Sequence, residues 1–194
     1  MRHHHAVRPW AFAALLLAGC TSTEEIVPAV TTSPRAPLAM AVSEVEIEAA
    51  AAPVYEGDFK DKRRSERLVE ATKEFLERRL LAAGGSGLLR ATIVQAKLVE
   101  RPRETKGGIA GVLTRESEST LDGEVGVRLT VIDGSGLEQV AAEVKIGRNR
   151  AVPPGLDVIE HDAFAEEFIS DLLRQLDDKL TAAVDEDLAS FKAF

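Results

Sequence analysis

"STLDGEVGVRLTVID" (residues 119–133) alternates cleanly over most of its length. Leu121, Val125, Val127, Leu129 and Val131 fall on one side. Asp122, Glu124, Arg128 and Thr130 fall on the other. A period of two with one apolar side is the pattern of a strand that covers a core with one face and meets water with the other. The strand runs into Asp133-Gly134-Ser135-Gly136, a turn sequence. "LEQVAAEVKIG" (137–147) then returns with Val140, Ala142, Val144 and Ile146 in step. A hairpin with one apolar face must be covered by another layer, so the flanking segments determine the architecture.

Upstream, "LLRATIVQAKLV" (88–99) is β-branched and apolar, but its alternation breaks, which predicts a bulge or burial on both sides. Before it, residues 65–83 place Leu68, Val69, Thr72, Phe75, Leu76, Leu80 and Ala83 on one helical face. Ser65 is the expected N-cap, Gly84-Gly85 the expected stop, and Arg79 a residue that snorkels at the edge of the apolar face. "SEVEIE" (43–48) reads as a short half-exposed strand. Downstream of Pro153-Pro154-Gly155, a long helix is expected from Asp157 or His161. Its stripe holds Ala165, Ile169, Leu172, Leu173, Leu176, Leu180, Ala183 and Val184. Asp187 would fall in that stripe, so the packed part should end near Asp185. The order is β-α-β-β-β-α. It predicts an α+β, two-layer sandwich in which two helices lie on one face of a four-stranded sheet, with the first strand beside the meander.

The N-terminal segment has a different character. "MRHHHAVR" is basic, residues 10–18 ("WAFAALLLA") are apolar, and Leu17-Ala18-Gly19-Cys20 follows. The apolar run is too short to span a bilayer and has the length of a signal-peptide core. The four residues resemble the lipobox of bacterial lipoproteins. The resemblance implies cleavage before Cys20 and a diacylglycerol on its thiol, with no further cofactor. Thr21 at the second mature position, where Asp would retain a lipoprotein at the inner membrane, implies the periplasmic face of the outer membrane. The expected domains are a signal peptide over 1–19, the lipidated cysteine with a flexible Pro/Thr/Ala tether over 20–42, and a single α+β domain over 43–194. Pro28, Pro34 and Pro37 keep the tether extended. About 20 residues at about 3.1 Å each reach about 60 Å.

Reactive chemistry is sparse. The only cysteine of the 194 residues is the anchor, and His3 to His5 lie in the signal. His161, the remaining histidine, reads as a solvated residue near a helix start. Ser86 and Ser135 lie in turns without a nucleophile elbow. No catalytic residue, metal site or enzymatic activity is expected. A net charge of −8 argues against nucleic acid as a partner. One cluster stands apart. "RPRETKGGIAGVLTRESE" (101–118) joins two strands over a length uncommon for such connections. It sets Ile109, Val112 and Leu113 among glycines and flanks them with Arg101, Arg103, Lys106 and Arg115. Lys106, Ile109, Val112, Leu113 and Arg115 are the candidate contacts to a protein or lipid partner. The competing reading is a mobile hairpin extension, or an extension of the two strands whose apolar residues pack on the domain.

With lipobox, tether, helix, meander and C-terminal helix in place, the chain resembles small outer-membrane lipoproteins that assist transport. These include auxiliary lipoproteins of lipid-transport ABC systems and the lipopolysaccharide-assembly lipoprotein. "DGEVGVRLTVID" and "FISDLLRQLDDKL" carry the local likeness. It implies a membrane-anchored accessory protein that binds an envelope protein or lipid in transport or outer-membrane assembly. A structural or regulatory lipoprotein contacting cell-wall synthesis enzymes or peptidoglycan is the alternative.

Overall fold

A computed structural model describes residues 35–50, 58–102 and 119–193. The strands are β1 (Leu38–Met40), β2 (Glu44–Ala49), β3 (Leu80–Ala82), β4 (Leu88–Pro102), β5 (Ser119–Ile132) and β6 (Glu138–Ala151). The helices are α1 (Phe59–Arg79) and α2 (Val158–Glu186), and a 3-10 turn over Ala189–Phe191 follows α2. The main sheet has the order β2-β4-β5-β6, with β2 parallel to β4 and the rest antiparallel. The expected α+β sandwich is therefore present, with the first of its four strands placed beside the meander. β1 and β3 form a small parallel pair in addition.

The broken alternation of β4 has a simple cause. The register slips between Ile93 and Gln95, so Val94 bulges and is exposed. Before the bulge Leu89, Ala91 and Ile93 face the helices; after it Ala96 and Leu98 do. One extra residue keeps the apolar face inward despite the change of parity. β5 and β6 need no such correction. Leu121, Val125, Val127, Leu129 and Val131 are buried opposite Ala142, Val144 and Ile146 or the neighbouring β4 residues. The other face of the sheet carries ion pairs: Arg90 with Glu46 and Glu48, Arg101 with Asp122, and Glu143 with Arg128 and Lys145.

Gly123 lets α2 approach β5. A Cβ there would stand 2.5 Å from Leu172 Cδ1 and 2.8 Å from Phe168 Cε1, both fully buried side chains of α2.

Four expectations need correction. The domain starts earlier than residue 43: Leu38, Met40 and Val42 are buried core residues, so the end of the supposed tether belongs to the fold. Helix α1 starts at Phe59, six residues before Ser65, because Asp58 caps it by accepting from the N–H groups of Lys60 and Asp61. It ends at Arg79, not at Gly84-Gly85, because Leu80 turns extended to pair with Leu38. Gly85 serves a different purpose. Its φ of +137° and a Cβ position 2.3 Å from the Ala41 carbonyl oxygen admit only glycine where the chain passes this backbone. Finally, Arg79 does not snorkel; it is 7% exposed.

α2 begins as expected at Asp157, with a capping box to Glu160. Asp187 is its C-cap rather than a buried carboxylate. The following segment packs back: Leu188 is fully buried, and Lys192 bridges to Met40.

Candidate functional site

The two helices run parallel. Arg64 meets His161, Arg67 meets Glu166 and Arg79 meets Asp177, so residue numbers rise together along both. Both N-termini therefore lie at one end of the sandwich. Pro102 and Ser119, register partners at the last rung of the β4–β5 pair, lie at that end too.

At this end a polar knot ties four elements together. Arg64 Nη1 donates to Glu100 Oε2 at 3.0 Å, and Arg64 Nη2 donates to His161 Nδ1 at 2.9 Å. His161 Nε2 stands 3.2 Å from Glu100 Oε2. With Nδ1 accepting from an arginine, the ring proton of a neutral His161 sits on Nε2 and points at the carboxylate. The Ser119 hydroxyl donates to Glu100 Oε1. Asp61 Oδ1 accepts the Glu100 backbone N–H at 3.0 Å. Partial burial pushes the Glu100 carboxyl up, but the Ser119 hydroxyl, His161 and Arg64 together outweigh it and hold it below its ordinary value. His161 is thus a packed partner and not the solvated residue expected. The arrangement joins α1, β4, β5 and α2, and each of its polar groups is turned toward another.

Ser65, expected as a cap, has a different task one turn further along. It is fully buried, and its hydroxyl donates to the Leu98 carbonyl and accepts the Leu98 N–H at 2.9 Å. Ser65 and Asp61 occupy the outward backbone groups of β4 where the short β2 no longer reaches.

Around the knot lie apolar residues open to water: Phe59 at the start of α1 is 73% exposed, and Val158 and Ile159 at the start of α2 are 78% and 79% exposed. Sequence reasoning passed over them because they fall outside the apolar stripes. Their signal was position, since Phe59 and Val158 each stand directly after an N-cap aspartate.

The opposite end receives the chain from the N-terminal segment. Arg79 Nε donates to Asp177 Oδ1 at 2.6 Å, its Nη2 donates to Thr181 Oγ1 at 3.0 Å, and its Nη1 donates to the Ala36 carbonyl. Arg35 adds contacts to Asp177 at 3.4 Å and Asp178 at 2.7 Å. From Val158 to Asp177 is about 28 Å along α2.

Cys20 and the candidate contacts Lys106, Ile109, Val112, Leu113 and Arg115 lie outside the described residues. Arg101 is described, exposed, and paired with Asp122 at 3.3 Å. Among the described residues no group of three or more metal-ligating side chains comes together, and no helix is long and apolar enough to cross a membrane.

No family model and no curated protein matches the chain. Solved structures with partial likeness include a minor lipoprotein from Acinetobacter baumannii at 10% identity and TM-score 0.38, covering 78% of this chain and 96% of that one. The rare lipoprotein B from Shewanella oneidensis is 10% identical with TM-score 0.37, covering 73% of this chain and 93% of that one. A Caulobacter crescentus protein assigned provisionally to the lipoproteins is 13% identical with TM-score 0.41, covering 77% and 93%. Identities and scores this low carry no functional argument, so the function has to be read from this chain's own residues.

Proposed function

We propose that this chain is an accessory lipoprotein of the bacterial envelope, held to the periplasmic face of the outer membrane by a lipid on Cys20. It binds an envelope protein or lipid, in transport or outer-membrane assembly, and performs no catalysis. The binding end is the one carrying Phe59, Val158, Ile159 and the 103–118 connection, with Lys106, Ile109, Val112, Leu113 and Arg115 as contacts. The observation that carries this reading is the opposition of the two ends. The described chain enters the domain beside Arg79 and Asp177, where Leu81 is also exposed, while Phe59, Val158 and Ile159 are exposed at the helix N-termini about 28 Å away along α2. A tether attached at one end leaves the other free to meet a partner away from the anchoring bilayer.

Labelling of cells with radioactive palmitate tests the anchor. The native chain should carry label and fractionate with the outer membrane. Cys20→Ser should lose the label and accumulate as the uncleaved precursor. A labelled Cys20→Ser chain, or an unlabelled native one, would sink the proposal.

A further inference from the structure

Past the end of β2, the edge that β4 would present is covered by α1. On the β2 side, the outward N–H groups of Leu98 and Glu100 are taken by Ser65 and Asp61 of α1. On the other side lies β6, 14 residues long, without a proline and in even register with β5 from Ala151 to Val140. Among the described residues no strand pairs with its outer edge. Side chains of α2 reach the Arg150 guanidinium, through Glu167 and Asp171, and not the strand's backbone.

Which groups point outward follows from the ladder. The Val152 N–H donates to the Ser119 carbonyl, so even-numbered positions along β6 turn their backbone groups toward β5. Ala141, Glu143, Lys145, Gly147 and Asn149 therefore turn theirs away from the sheet. A long regular edge of this kind is a template for another strand.

The side chains specify which strand. β6 is acidic in its first part, at Glu138 and Glu143, and basic in its second, at Lys145, Arg148 and Arg150. An antiparallel copy of the same strand reverses that order. Pairing centred on Val144 sets Glu143 of each copy opposite Lys145 of the other, and Ala141 opposite Gly147, all within the regular part of β6. It also joins outward-facing positions only to outward-facing positions, as an antiparallel ladder requires. Moving the centre to Glu143 or to Lys145 would place like charges face to face. We infer that β6 docks a second copy of this chain, antiparallel and centred on Val144, to form a two-fold dimer with a continuous eight-stranded sheet. The inference does not depend on the anchoring function.

Sedimentation of the full chain in detergent, across a concentration series, tests it. The native chain should dimerise. Glu143→Lys and Lys145→Glu each place like charges opposite one another twice and should weaken the dimer about tenfold, while the double reversal restores it. Ala141→Pro removes only an N–H that faces solvent in the monomer, a substitution edge strands accept, and should give a folded monomer with an unchanged circular dichroism spectrum. A chain that stays monomeric at every concentration overturns the inference and leaves the edge to an extended segment of another protein. A dimer indifferent to both reversals and to the proline overturns it equally.

Discussion

Arg79 and Asp177 put a charge pair under the surface where two helices and the incoming chain meet. The side chains are 8% and 9% exposed. Such a pair is held by geometry: Arg79 spends its three nitrogens on Asp177, Thr181 and Ala36, so little of its charge is uncompensated. Asp177→Asn keeps the shape but leaves a buried guanidinium without its anion. It should cost about 3 kcal/mol, read as a lower urea midpoint at unchanged slope. At the other end, Glu100 makes a pH-dependent contribution. Its folded pKa lies below the ordinary 4.5. Its stabilisation is therefore fully present above that value and is lost as pH falls through the lowered folded value. Glu100→Gln should narrow the stability gap to the native chain below pH 4.5, and a gap that stays constant down to acid unfolding would contradict this. Neither constellation was legible in the sequence. Arg64, Glu100 and His161 lie on three elements, and nothing local shows that an arginine and a histidine 97 positions apart will share a carboxylate.

Strands and helices were far more readable, for a physical reason. The apolar faces of β5, β6 and α2 repeat at fixed periods, and each period names the buried residues directly. The bulge in β4 was legible as broken alternation, because a parity change is itself a pattern. The start of α1 was misplaced because Asp58, an ordinary N-cap, precedes a turn of charged residues with no apolar period. The stop was misplaced because tertiary pairing of Leu80 with Leu38 overrides the glycine signal downstream. Gly123 was hidden in the alternation for the opposite reason: its importance lies in the side chain it lacks. Gly123→Ala should press Leu172 and Phe168 away from β5 and destabilise the domain by about 1–3 kcal/mol. A thermal scan would show the midpoint fall, and an unchanged midpoint would mean that α2 can lift from the sheet at little cost.

At the scale of the whole molecule, the end where Arg35 and Ala36 enter and the end holding both helix N-termini make different demands on sequence. The Arg79–Asp177 contacts at the first end are buried, so substitutions in them act on stability. The helix N-termini expose Phe59, Val158 and Ile159 beyond the core, so removing them should leave the fold intact. This separates a binding role from a packing role. Phe59→Ser, Val158→Ser and Ile159→Ser together should change stability by less than about 1 kcal/mol, since the transfer free energy of side chains already in water is not lost. The same triple variant should reduce crosslinking to an envelope protein or lipid from a photoreactive residue placed at Ile109. Equal crosslinking by native and triple-variant chains would detach these residues from the binding end. A large loss of stability would mean that their exposure is relieved by contacts within the protein. Ile109→Ser with Leu113→Ser extends the test to the connection itself. Lost crosslinking at unchanged stability assigns that segment to the partner, whereas a destabilisation above about 2 kcal/mol assigns it to the core.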